Sequence, residues 1–155
     1  MLSTLLRETC TLYLKISENA RKGRTTRQNQ LIRMSVLSLI KSILALDLDA
    51  GKIKWYHQIG CYDVWFSACN NLSTPDCPPG PNPDADFGEA PIMLSIFING
   101  TKLDIVVAVQ KSGFAWALDR DNGNLIWSTE AGPGGVVGGG TWGAATDEGR
   151  VYSVH

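Results

Sequence analysis

Residues 45–60 read ALDLDAGKIKWYHQIG and residues 117–132 read ALDRDNGNLIWSTEAG; the two segments align without a gap at an offset of 72. Seven of sixteen positions are identical (Ala, Leu, Asp, Asp, Gly, Trp and Gly), and Ile53 against Leu125 adds a conservative match. Each copy has the pattern of a β-hairpin. An alternating strand ends at Asp47 or Asp119, and a turn follows at Asp49-Ala50-Gly51 or Asp121-Asn122-Gly123, where Gly and Asn accept positive φ. A second strand then carries the Trp.

Working outward, Asp104 to Gln110 (DIVVAVQ) is a β-branched strand closed by the Lys111-Ser112-Gly113 turn. The order becomes strand, turn, strand FAWALD, turn, strand NLIWS, three antiparallel strands with tight connections. Beyond the glycine-rich stretch 132–143, Trp142 to Thr146 and Arg150 to Val154 pair around Asp147-Glu148-Gly149 as the next hairpin. Meanders of this kind, each with a Trp, are the sequence form of β-propeller blades. A blade takes about 40–45 residues, so the offset of 72 leaves room for an insertion. Residues 61–91, rich in Cys, Pro and Asn, supply it and cannot be regular strand.

The charges almost cancel over 155 residues, 14 Lys and Arg against 15 Asp and Glu, but they are sorted along the chain. Residues 1–44 carry eight basic and two acidic side chains, net +6, while residues 45–155 carry six basic and thirteen acidic, net −7. All five Trp, all seven Pro and fifteen of sixteen Gly follow that seam. The chain therefore divides into residues 1–43, a basic helical or disordered segment, and residues 44–155, the repeat region. Residues 2–16 place Leu2, Leu5, Leu6, Thr9, Cys10, Tyr13 and Ile16 at helical spacing, and Leu31 to Leu46 is again helix-compatible. The basic run Arg21, Lys22, Arg24, Arg27 lacks interleaved aromatics and reads as a solvated linker, so no nucleic-acid partner is expected. No membrane span is read, because the best apolar run, Met34 to Ile40, is bracketed by Arg33 and Lys41 and falls short of the roughly 18 residues required. No convincing signal peptide is present in this chain. His57 and His155 have no metal-ligand spacing with the cysteines, and no GxSxG, P-loop or dinucleotide fingerprint occurs.

The pattern Ala45-x-Asp47-x-x-x-Gly51-Lys52-x-x-Trp55 resembles the tryptophan-docking motif of quinoprotein alcohol dehydrogenases, propellers of four-stranded blades that bind pyrroloquinoline quinone (PQQ) on the axis. The second copy keeps Ala117, Asp119, Gly123 and Trp127 and has Asn124 in place of Lys. Longer stretches resemble the polyvinyl-alcohol-dehydrogenase-like branch, including plant members. These are Tyr62-Asp63-Val64-Trp65, the Cys69…Cys77-Pro78 loop, Asp84-Ala85-Asp86-Phe87-Gly88-Glu89-Ala90-Pro91, Gln110-Lys111-Ser112-Gly113 and Gly138 to Ala145.

The resemblance implies an all-β partial β-propeller of two to three four-stranded blades from an eight-bladed type, preceded by the helical basic segment. It implies oxidation of a small alcohol or polyol with PQQ as electron acceptor. Trp142, beside Gly143, would be the floor on which the quinone stacks; without the family it would be a blade-packing Trp. Lys111 would face the quinone carbonyls; the alternative is an exposed turn lysine. Asp84, Asp86 and Glu89 read as a solvated acidic cluster in a Pro-rich loop. The family's catalytic Asp-Asn pair, which also contacts calcium, would fall on Val36 and Leu37, both apolar. No catalytic residue and no calcium ligand is therefore assigned, and the chain, a truncated or mispredicted piece on this reading, is expected to be inactive alone. A non-catalytic propeller scaffold or binding module is the alternative function.

Relatives also pair the counterparts of Cys69 and Cys77, which implies a disulfide there. Together with the sequons Asn71-Leu72-Ser73 and Asn99-Gly100-Thr101, this suggests a parent protein that is secreted or periplasmic.

Overall fold

A computed structural model describes residues 41–60, 63, 65, 67–70, 83–147 and 149–154. The helical readings at 2–16 and 31–40, the Val36-Leu37 position, Cys77 and the Asn71 sequon lie outside the described residues. The described residues form eight strands: β1 (Ser42–Leu46), β2 (Ile53–Gln58), β3 (Ile92–Ile98), β4 (Thr101–Val109), β5 (Phe114–Asp119), β6 (Leu125–Glu130), β7 (Ala144–Thr146) and β8 (Val151–Ser153). Among the described residues there is no α-helix, only a 3₁₀ turn at Ser67–Asn70. Residues 42–46 are thus strand, correcting the helix-compatible reading of Leu31–Leu46 at its C-terminal end. The β-branched and alternating pattern prevails there, because the segment has β2 to pair with.

The chain separates into two compact units, residues 1–42 with 58–82 and residues 43–57 with 83–155. In the first, Lys41 and Asp63 form a buried ion pair at 2.5 Å, the Ile59 N–H donates to the Lys41 carbonyl, and Cys69 is disulfide-bonded.

The second unit holds a complete four-stranded antiparallel sheet in the order β3-β4-β5-β6, together with the two-stranded β7-β8. The sequence pattern showed three strands of this sheet; Ile92–Ile98 is the fourth, pairing with β4 from Ile92 opposite Val107 to Ile98 opposite Thr101. β4 is central, and Ile105 to Val109 is buried on both faces, which explains a continuous apolar run rather than alternation. Ile105, Val107 and Ala117 form the core on one face, with Leu94, Ile96, Leu103, Ile126 and Val151 packed against them. A register shift between Ala117 and Leu118 bends β5 against β6 beside the DNG turn.

The repeat hairpins close in the same way. Asp47 Oδ1 accepts from the Asp49 and Ala50 N–H groups, and Asp119 Oδ1 accepts from those of Asp121 and Asn122. Gly51 and Gly123 follow at φ 62° and 73°, each donating its N–H to the carbonyl of its Asp at 2.8 Å. A short polar side chain that accepts from the turn, followed by a residue free to take positive φ, is what this reversal requires. That is why these two positions are identical in both copies.

Candidate functional site

Three segments of the second unit converge at one end of the four-stranded sheet. The β3–β4 hairpin carries the chain out and back, so residues just before Ile92 return beside those just after Val109. Lys111, in the turn after β4, donates its N–H to the Asp86 carbonyl at 2.9 Å. Its ammonium lies 3.0 Å from Asp84 Oδ2 and 3.8 Å from Asp86 Oδ2. The Lys111 side chain is 17% exposed and that of Asp84 only 3%, while that of Asp86 is 55% exposed. Asp84 sits at φ 56°, a left-handed conformation that Asp tolerates better than most residues and that recurs at functional sites.

The glycine run forms the third wall. The Gly135 N–H donates to the Lys111 carbonyl and the Gly140 N–H to that of Gln110. A Cβ on Gly139 would collide with Lys111 backbone, one on Gly140 with the Val109 side chain, and one on Gly134 with the Ser112 backbone. These glycines let one chain wrap another at a separation no side chain permits. At the end of the run Trp142 is 75% exposed, and the Gly143 N–H donates to Glu89 Oε2 at 3.0 Å. Gly88 packs on Thr141 in the same place.

The structure therefore corrects two of the plain readings. Asp84 and Glu89 are not solvated, since Asp84 is buried against Lys111 and Glu89 ties the loop to Gly143, whereas Asp86 is exposed as read. Lys111 is not an exposed turn lysine, since two carboxylates hold it. Trp142 presents its indole to solvent rather than packing it away. The pairing of Asp84 with Lys111 was missed because 27 residues separate them. The available signal was the hairpin itself, which returns the chain to the loop it left.

In composition the site is an exposed indole, a held ammonium and a half-open carboxylate, with the glycine run packed on the Lys111 turn. That set suits a flat ring bearing oxygens: a face to stack on and a cation for those oxygens. Among the described residues, no three His, Cys, Asp or Glu side chains group closely enough to hold a metal ion.

The model of the PQQ-type glucose/ethanol/alcohol dehydrogenase β-propeller domain matches residues 38–134, more than half of the chain. The protein belongs to that β-propeller family. A polyvinylalcohol dehydrogenase of a Pseudomonas species is 33% identical over 112 residues, covering 72% of this chain and 17% of the relative. One from Sphingopyxis sp. (strain 113P3) is 32% identical over 115 residues, with the same coverage of each. The crystal structure of quinohemoprotein alcohol dehydrogenase from Comamonas testosteroni aligns at 30% identity with a TM-score of 0.44, over 59% of this chain and 11% of that one. The chain thus spans 17% of the length of the two polyvinylalcohol dehydrogenases.

Proposed function

We propose that residues 44–155 supply part of the quinone pocket of a PQQ-dependent dehydrogenase acting on a small alcohol or polyol. The observation that carries this reading is the Lys111 ammonium, fixed at 3.0 Å from a buried carboxylate on a turn against which the glycines pack. The names of the relatives, two polyvinylalcohol dehydrogenases and a quinohemoprotein alcohol dehydrogenase, support the substrate class and the cofactor. A secreted or periplasmic location of the parent protein accords with the disulfide at Cys69.

Each residue has a distinct task. Trp142 offers the stacking face, and Gly143 keeps the backbone beside it clear. Lys111 has three donors; Asp84 takes one and fixes the ammonium, leaving positive charge to stabilise negative charge that develops on ring oxygens. Bound there, the quinone would accept the two electrons released as the alcohol is oxidised. Asp86, half open to solvent and 3.8 Å from Lys111, is the second carboxylate beside the ammonium.

Titration of the purified chain with quinone, followed by absorbance and indole fluorescence, tests the pocket. Trp142→Ala is expected to weaken binding about ten- to a hundredfold, since stacking on an aromatic is worth about 1–3 kcal/mol. Lys111→Ala alone would strand the buried Asp84 carboxylate at a cost of about 3–5 kcal/mol. The informative variant is therefore Lys111→Met with Asp84→Asn, expected to weaken the reduced quinone more than the oxidised one. The dehydrogenase reading is tested by grafting residues 44–155 into a complete polyvinylalcohol dehydrogenase, where quinone-dependent dye reduction by an alcohol is expected. Binding indifferent to Trp142 would remove the pocket, and a graft without that activity would remove the dehydrogenase reading.

A further inference from the structure

The β3–β4 hairpin, at the other end of these two strands, has no part in the quinone reading. Its turn is Ile98-Asn99-Gly100-Thr101, with Ile98 paired to Thr101 and positive φ at both central residues, 50° at Asn99 and 78° at Gly100. Two consecutive left-handed residues make a tight two-residue reversal, the form favoured by Asn-Gly. Asn99, Gly100 and Thr101 are all exposed, and a Cβ on Gly100 would meet nothing within 4 Å. The tip stands in open space. Asn99-Gly100-Thr101 is also an Asn-X-Thr acceptor sequence.

A second, independent feature lies two residues upstream. Phe97 is 72% exposed, and Met93, on the same face of β3, is exposed as well. An aromatic ring left in water on an edge strand forgoes its burial and invites association. Asn99 lies in the turn at φ 50°, so the alternation of β3 stops at Ile98. A sugar attached to Asn99 would begin two residues from the uncovered Phe97 ring. The apolar C–H face of a pyranose stacks on aromatic rings, as other flat groups with an apolar side do.

We propose that Asn99 is an N-glycosylation site and that Phe97 is the platform for its first N-acetylglucosamine. The donor is a polyprenyl-pyrophosphate-linked oligosaccharide, supplied with its transferase by the secretory membrane. The Asn99 amide nitrogen bonds to the anomeric carbon, the carbon–oxygen bond to pyrophosphate breaks, the lipid pyrophosphate leaves, and one amide proton passes to a base. No electrons change hands. The disulfide at Cys69 accords with an oxidising compartment, of which the one that holds this donor is an example. The attached sugar would cover Phe97, giving a reason for its exposure.

The test secretes the full chain from yeast behind a cleavable leader and releases glycans with a peptide-N-glycosidase in heavy-oxygen water. Mass spectrometry then reads a formerly glycosylated Asn99 as labelled Asp. Labelled Asp at position 99 is expected, with loss of the label in Thr101→Ala and its retention in Thr101→Ser. An unlabelled Asn99 in the secreted protein overturns the site, whatever the Asn71 sequon shows. The platform has its own readout. The glycosylated chain should melt a few degrees above its enzymatically stripped form, and Phe97→Ala should abolish that difference. A difference that survives in Phe97→Ala overturns the stacking role.

Discussion

The Asp47–Gly51 turn and the Asp119–Gly123 turn have nearly the same sequence and the same hydrogen bonds, yet their surroundings differ completely. The Trp55 indole of the first copy donates its N–H to the Arg120 carbonyl in the second copy's turn, at 2.8 Å. Its ring lies over Gly123, where a Cβ would come within 2.5–3.1 Å of three ring atoms. Nothing comes within 4 Å of where a Cβ on Gly51 would sit. Trp127, the counterpart of Trp55, is 36% exposed. Each copy thus has two ends, a turn that receives an indole and a Trp that delivers one. The first copy delivers and the second receives. Gly at the turn has one reason in the first hairpin, its positive φ, and two in the second, φ and the indole above it.

The largest expected effect separates those two reasons. Gly123→Ala adds overpacking against Trp55 to the cost of positive φ, together about 2–5 kcal/mol. Gly51→Ala carries only the backbone term, about 1–2 kcal/mol. Urea denaturation of the full chain, read by Trp fluorescence, measures both. Equal losses would mean that Trp55 does not rest on Gly123 in solution.

A smaller effect is expected from the indoles. Trp55→Phe keeps a ring over Gly123 but removes the donor to the Arg120 carbonyl, a net cost of about 0.5–1.5 kcal/mol. Trp127→Phe, at an exposed position, should stay within about 0.5 kcal/mol of the parent. If the second substitution costs as much as the first, Trp127 also delivers its indole to a partner and the asymmetry between the copies disappears.

This contrast also marks how far the sequence could be read. The aligned Asp, Gly and Trp disclosed both hairpins, because turn chemistry is local: an Asx acceptor and a positive-φ residue act within five positions of one another. The DIVVAVQ and FAWALD strands were equally visible from their β-branched and alternating residues. Ile92–Ile98 carried a local signal too, an apolar run leading into Asn99-Gly100, the favoured two-residue hairpin turn, but the Pro-rich loop before it masked where the strand begins. The same loop concealed the site. Asp84 and Asp86 look like ordinary solvated acids from composition, and only the return of the β3–β4 hairpin brings Lys111 to them. Lys111, Trp142 and Gly143 could be singled out from their motifs, whereas the two carboxylates that hold the lysine needed three dimensions.

The smallest expected effect concerns the charge on the turn carboxylates, and it tests whether the turns need the ion or only the oxygen. The Ala50 N–H at 2.9 Å, then that of Asp49 and the Lys54 ammonium, hold the Asp47 carboxyl below its ordinary value of 3.8. Asp147, which caps the β7–β8 turn in the same way, is lowered first by the Tyr152 hydroxyl at 2.7 Å and then by the Gly149 N–H. A carboxyl depressed in the folded state binds its proton more readily when unfolded. Its contribution is therefore complete above the unfolded value and is lost as pH falls through the lower folded one, in the acid range below the ordinary value of 3.8. Asp47→Asn retains an oxygen for the same N–H groups but cannot titrate, so it should remove the Asp47 share of that acid loss while leaving the turn closed. NMR titration of the Asp47 carboxyl in the parent chain gives the direct measurement. A midpoint below 3.8 is expected, whereas a midpoint at or above it would show that the backbone donors serve the turn's geometry and place no premium on the charge.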